Sequence, residues 1–152
     1  MLYRMNERRD CLNPQPNDCT FYSECLETRY HCGSSGYPIA YGLTYCQKIQ
    51  RAQEWLSDAG QKWMQGVMMC LQQKLVPFID GSRSTSCNGV KSFAIGVHPQ
   101  CYVEYGLCDL PPSDWAVIAD VVLPSLFEGP DVLKAIVSTA KACGWKYLSL
   151  DA

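Results

Sequence analysis

From Tyr41 to Val76, apolar residues recur every three or four positions: Cys46, Ile49, Ala52, Leu56, Ala59, Trp63, Val67, Cys70, Leu71 and Leu75. That step marks the buried face of an α-helix. Asp58, Ala59 and Gly60 interrupt it, so two helices are expected, the second ending at Pro77. Asp80 to Ser86 (DGSRSTS) then reads as an exposed loop of turn formers. Further on, Phe93, Val97, Cys101, Tyr105 and Cys108 share one helical face, with a break expected before Pro99. Pro111 to Asp114 opens another helix, on which Trp115, Ile118, Val121, Val122 and Leu126 line up until Pro124 and Gly129 intervene. Pro130 starts the last helix, with Leu133, Ile136, Val137, Ala140 and Cys143 on one side and Gly144 as its C-terminal cap. Residues 1–45 hold short helical turns and loops around Asn13 to Asp18 (NPQPND) and Gly33 to Tyr37 (GSSGY). Alternating patterns are scarce, and Tyr147 to Leu150 is too short to build a sheet. The expected class is all-α: a disulfide-cross-linked helical domain of about four to six helices. It spans 11–143, between a flexible N-terminal segment 1–10 and a short C-terminal tail 144–152.

Ten cysteines change this picture, because an even set in a chain of 152 residues is what an oxidising compartment produces when every thiol finds a partner. Five disulfides and a secreted, extracellular location are expected. Zinc is the rival reading, but its ligands cluster as closely spaced Cys pairs with nearby histidines. Here the closest pairs are Cys19/Cys25 and Cys101/Cys108, and the histidines are His31 and His98. The opening MLYRMNERRD has no apolar stretch of the kind a secretory leader needs, so the chain is expected to be a mature or a trimmed form. No Asn-x-Ser/Thr sequon occurs. Lys and Arg number 13 against 15 Asp and Glu, a net charge of −2, with no run of five like charges. A nucleic-acid groove or a polybasic membrane arm is not expected from such a balance. No apolar run approaches the length of a membrane span.

Candidate chemistry is thin. With the cysteines oxidised, the bases available to a nucleophile are His31 and His98, and neither stands in a catalytic motif. A secretory phospholipase would need a His-Asp pair on a helix, and Asp follows neither histidine. Carboxylate pairs such as Asp18/Glu24, Asp109/Asp114 and Asp120/Glu128 read as solvated helix faces rather than acid-base pairs. No calcium-loop, phosphate-loop or dinucleotide motif is present, and no cofactor is expected. Of the tryptophans, Trp55, Trp115 and Trp145 are available to stack on a ligand, whereas Trp63 belongs to the apolar face.

The most specific signal is the number of residues between successive cysteines: 7, 5, 6, 13, 23, 16, 13, 6 and 34. This spacing resembles the stanniocalcin family, as do Cys11-Leu12-Asn13, Cys25-Leu26-Glu27, Cys101-Tyr102, the position of Gly60 and the stretch Val121 to Pro124. The resemblance covers 11–143, and only the interval between Cys32 and Cys46 is clearly longer than in the family. It implies bridges Cys11–Cys25, Cys19–Cys46, Cys32–Cys87, Cys70–Cys101 and Cys108–Cys143. Cys101 and Cys108, seven apart, would then tie one helix face to two neighbours. It also implies a secreted, hormone-like regulatory protein that acts by protein binding, with the family's role in calcium and phosphate homeostasis and in metalloproteinase inhibition. The family's eleventh, intersubunit cysteine has no counterpart here, nor does the extra cysteine some members use to capture a proteinase, so a non-covalent homodimer is expected.

A binding protein, not an enzyme, is therefore expected. Its partner would be a receptor or proteinase, met through Arg83 in the 80–86 loop and through the flank formed by Trp55 and Met64 beside Met68 and Met69. The alternative is a small-molecule carrier, or an effector or toxin, on the same scaffold, with Gly89, Gly96 and Gly106 opening a cavity between helices. A deep apolar pocket lined by Trp or Tyr would favour that alternative, and a flat apolar patch would favour a protein partner.

Overall fold

In a computed structural model of the chain, residues 10–128 and 130–151 are described, with 126–128 and 145–151 by their backbone alone. Most of the expected 1–10 segment therefore lies outside the described residues. The class is all-α, with no strand among the described residues. Six α-helices follow in order: α1 Glu27–Tyr30, α2 Thr44–Ala52, α3 Asp58–Asp80, α4 Cys87–Glu104, α5 Pro112–Val122 and α6 Pro130–Asp151. Wider π-helical turns lead into the first two, Phe21–Leu26 into α1 and Tyr37–Leu43 into α2. The long α4 is the spine, packed against α3 on one side and α6 on another, while α2 lies against α5.

Helix starts follow the local chemistry. Ser57 caps α3 by accepting from the Gly60 amide at 3.1 Å, and Ser86 does the same for α4 with Gly89 at 3.1 Å. The break between α2 and α3 falls at Leu56 and Ser57, slightly before Asp58, after a single 3₁₀ turn, Gln53–Trp55. Gly81, in the left-handed region at φ 90°, closes α3. Ser57 has a second partner, because the fully buried Asp114, in the first turn of α5, accepts both its amide (2.8 Å) and its hydroxyl (2.5 Å). One carboxylate thus fixes the starts of two helices, and the pairing of Asp109 with Asp114 as solvated carboxylates does not hold.

Three expected helix ends are corrected. Pro77 and Pro99 lie inside α3 and α4, and α6 continues beyond Gly144. A proline removes one ladder hydrogen bond, but the segment stays helical where packing on both sides holds it. Around Pro77 the buried Leu75 and Phe78 do this, with Phe78 edge-on to Phe93 at 4.9 Å. Around Pro99 it is Ile95, and Cys101 bonded to Cys70. Cys101 and Cys108 do not share a helix face either, since α4 ends at Glu104 and Gly106, at φ 101°, turns the chain into the 3₁₀ turn Leu107–Asp109 that holds Cys108.

Five disulfides join Cys11–Cys25, Cys19–Cys46, Cys32–Cys87, Cys70–Cys101 and Cys108–Cys143, and no described cysteine is free. These are the pairs that the resemblance implies. They tie the N-terminal loop to the first π turn, that region to α2, the loop after α1 to the start of α4, α3 to α4, and the Cys108 turn to α6. Between them lies a core built on Phe21, Leu26, Trp63, Met64, Leu75 and Val90. The Trp63 indole donates to the Tyr102 carbonyl at 2.9 Å, locking α3 to α4. No described helix is long and apolar enough to cross a membrane.

Candidate functional site

Four helices leave a gap where they meet. α2 contributes Tyr45 and Ile49, and α4 contributes Ile95, His98 and Tyr102, spaced three and four apart on one face. α5 adds Trp115 and Ile118, with Val121 and Val122 one turn on, and α6 closes the far side with Val132, Ile136 and Thr139. The pocket so formed is partly open to solvent, with the exposed Leu123 in its wall, and measures about 200 Å³, against ~150 Å³ for the engineered void that takes up benzene. A smaller one of about 40 Å³ adjoins it, walled by Tyr22, Tyr37, Val67 and Met68. The two share Tyr41, Tyr45, Ile49, His98 and Tyr102.

An aromatic chain runs along this shared wall. Tyr22 meets Tyr37 at 6.4 Å between ring centroids, Tyr37 meets Tyr41 at 5.4 Å, and Tyr41 meets Tyr45 at 4.7 Å. His98 stands edge-on to Tyr41 at 6.4 Å and to Tyr102 at 5.6 Å. Tyr37, Tyr41 and Tyr45 are four residues apart, so the turn from Tyr37 into α2 lays their rings on the same side. Burial pushes the Tyr22, Tyr37 and Tyr102 phenols well above their ordinary value of 10.0, and all three stay protonated at any physiological pH.

His98 is the one imidazole in the wall. Its Nδ1 lies 2.6 Å from the Ala94 carbonyl oxygen, one turn back on α4. A carbonyl only accepts, so Nδ1 carries the proton and donates. Burial lowers the imidazole below its ordinary value of 6.5, against a smaller upward pull from that hydrogen bond. Neutral His98 therefore keeps a lone pair on Nε2, at the ring end farthest from its own helix. The hydroxyls of Ser125 and Thr139, also in the wall, donate to the Val122 and Ala135 carbonyls behind them. No Asp, Glu, Lys or Arg lines either cavity among the described residues. Lys48 lies over the Tyr45 ring, 4.6 Å from its centroid, outside the wall.

The residues named from sequence as contacts are elsewhere. Trp55 is 72% exposed in the 3₁₀ turn before α3. Arg83 is exposed, but its guanidinium stacks on Phe78 and Phe93 at 4.9 and 4.8 Å, pinning the 80–86 loop to α3 and α4. Met64 is corrected: it is 0% exposed, because Trp63, Met64, Val67 and Met68 all turn inward on the broad buried face of α3. The Trp55/Met64 flank is thus not one surface. On α6, Leu133 and Val137 face outward, while Val132, Ile136 and Cys143 face in. Gly89, Gly96 and Gly106 do not line the cavity, which comes from helix placement instead. Trp115 does line it, and Trp145 lies outside the residues whose side chains are described.

Sequence reading missed His98 as a wall residue because the face chosen for α4 ran through Val97 and Cys101. The available signal was Ile95-His98-Tyr102 at helical spacing, together with Tyr37-Tyr41-Tyr45. No group of three or more His, Cys, Asp or Glu side chains among the described residues is placed to hold a metal ion. The chain matches no family model, no curated protein and no solved structure.

Proposed function

We propose that the chain is a secreted binding protein that carries a small apolar molecule between α2, α4, α5 and α6. The cavity supports this reading: about 200 Å³ of space, walled by aliphatic and aromatic side chains with a few polar groups. Its size suits a molecule smaller than a typical drug, since drug-sized pockets begin near 300 Å³. Five disulfides fit an oxidising, extracellular setting. The test is thermal unfolding with benzene as the probe. A ligand that binds only the folded state adds about 2.7 kcal/mol at one hundred times its Kd. Ala135→Phe, which fills the cavity, is expected to remove that stabilisation while raising the unliganded melting temperature. An unchanged melting temperature for the natural protein in saturating benzene would refute the reading.

The cysteine spacing favours a second one. A stanniocalcin-like regulator would have the same five bridges, and would act by binding a receptor or proteinase as a non-covalent homodimer, with Trp55 and Arg83 on accessible surface. Its role in calcium and phosphate balance would come with that family. Light scattering and proteinase-inhibition assays test it: a monomer inert towards metalloproteinases removes it.

A further inference from the structure

The cavity's polar groups point to one kind of head group. Resting on the reading of the cavity as a ligand site, we propose that it selects neutral molecules with an apolar body and one hydroxyl, an aliphatic alcohol or a phenol, and rejects carboxylates. The hydroxyl would sit where the two cavities meet, donating to His98 Nε2.

Three observations carry this. First, the wall holds an imidazole acceptor with no proton left to give. His98 spends its proton on Ala94, and Ser125 and Thr139 spend theirs on Val122 and Ala135. An apolar ligand that displaces water from Nε2 would leave this acceptor unpaired, so a ligand that brings a donor is favoured over one that does not. Second, the Tyr102 phenol, beside His98 on the same face of α4, keeps its proton and can donate to the same ligand oxygen, a role an alcohol accepts while it donates to imidazole. Third, no ionised side chain lines either cavity among the described residues, so a carboxylate or ammonium would enter without a counter-charge. An unpaired buried charge costs far more than a neutral group. A cation would find aromatic faces, but no carboxylate to balance it.

The experiment titrates the intact, disulfide-bonded protein with octanol, octane, octanoate and octylamine, read by tryptophan fluorescence, to which Trp115 in the wall contributes, and by calorimetry. Octanol is expected to bind at least ten-fold more tightly than the other three. In His98→Phe, which keeps a ring but loses the acceptor, octanol should fall to the affinity of octane while octane binding is unchanged. Tyr102→Phe should weaken octanol alone, giving a second readout should the His98 variant fold poorly. Octane equal to octanol overturns the head-group assignment and leaves the apolar carrier standing. Octanoate binding best, with that binding lost in Lys48→Gln, overturns it too, as does octylamine binding best. Failure of all four to bind overturns the carrier reading itself.

Discussion

Asp114 and Ser57 should behave as one energetic unit. Replacing Ser57 by Ala removes the cap on Gly60, worth about 1 kcal/mol, and the hydroxyl given to Asp114, worth about 1.5 kcal/mol as a bond to a charged group. The expected cost is about 2.5 kcal/mol. Asp114→Ala removes two such bonds and should cost about 3 kcal/mol. The hydroxyl bond is common to both changes, so the double variant should lose about 4 kcal/mol, leaving a coupling near 1.5 kcal/mol. Urea unfolding of the disulfide-intact proteins, followed by far-UV circular dichroism, supplies the cycle. Additivity within about 0.5 kcal/mol would refute the shared carboxylate. Gly60→Ala gives an independent check of sign. Helix propensity favours Ala by about 1 kcal/mol. Here, though, the new Cβ would stand 2.6 Å from an Asp114 oxygen that is buried and cannot retreat, so the variant should be less stable than the natural protein.

Three further expectations follow from the packing. Gly42→Ala would drive a methyl into the Tyr22 ring, held by Phe21 and Tyr37, and should cost about 1 to 3 kcal/mol by denaturant unfolding; Gly66→Ala meets the exposed Tyr105, which can swing away, and should cost little. His98 titrates below its ordinary 6.5 in the folded state, so the unfolded chain takes up its proton first as the pH falls. Stability should therefore drop as the pH falls through the ordinary imidazole value of 6.5, and the drop should be smaller in His98→Gln. Removing Cys70–Cys101, a separation of 31, should destabilise more than removing Cys11–Cys25, a separation of 14, by about 0.7 kcal/mol from chain entropy alone. Equal losses by calorimetry would count against that account.

Helices were legible wherever one apolar face was long enough to repeat. Ile49 in α2 and Trp63, Val67, Cys70 and Leu75 in α3 are buried as expected, while Ala59 in the first turn of α3 is exposed; Trp115, Ile118, Val121 and Val122 do point inward. Ends were less legible, because Pro77 and Pro99 are local breakers overruled by distant partners: Phe93 against Phe78, and Cys70 bonded to Cys101. Surface exposure was hardest to read. Met64 read as a flank beside an apolar stripe and Leu133 as a member of one, and whether either is covered depends on which helix lies across it. α3, crossed by its neighbours, buries Met64, whereas α6, covered on one side, leaves Leu133 outside. The cavity was illegible for the same reason. Ile49, Ile118, Val122 and Ile136 were each placed on an inward face, and nothing in one stretch of chain records that these faces fail to meet. His98 carried a trace, as a polar ring one turn from Tyr102 and Ile95 on an apolar face, and so did Tyr37, Tyr41 and Tyr45 at steps of four.

A partly open apolar pocket denies its lining side chains contacts that close packing would give them. The cross-links supply the compensation from outside the core. Closed over separations of 14 to 55 residues, each constrains the unfolded chain by about 3 to 4 kcal/mol without requiring any side chain to fill space. The placement of one is telling: Cys108–Cys143 holds α6 to the turn that carries Leu107, and both Leu107 and the α6 residues Thr139 and Ala140 line the cavity. The wall that packing alone would draw inward is anchored covalently at its edge. Stability and close packing are thereby uncoupled, and a helical protein of this size can stay folded around a space that a ligand can fill.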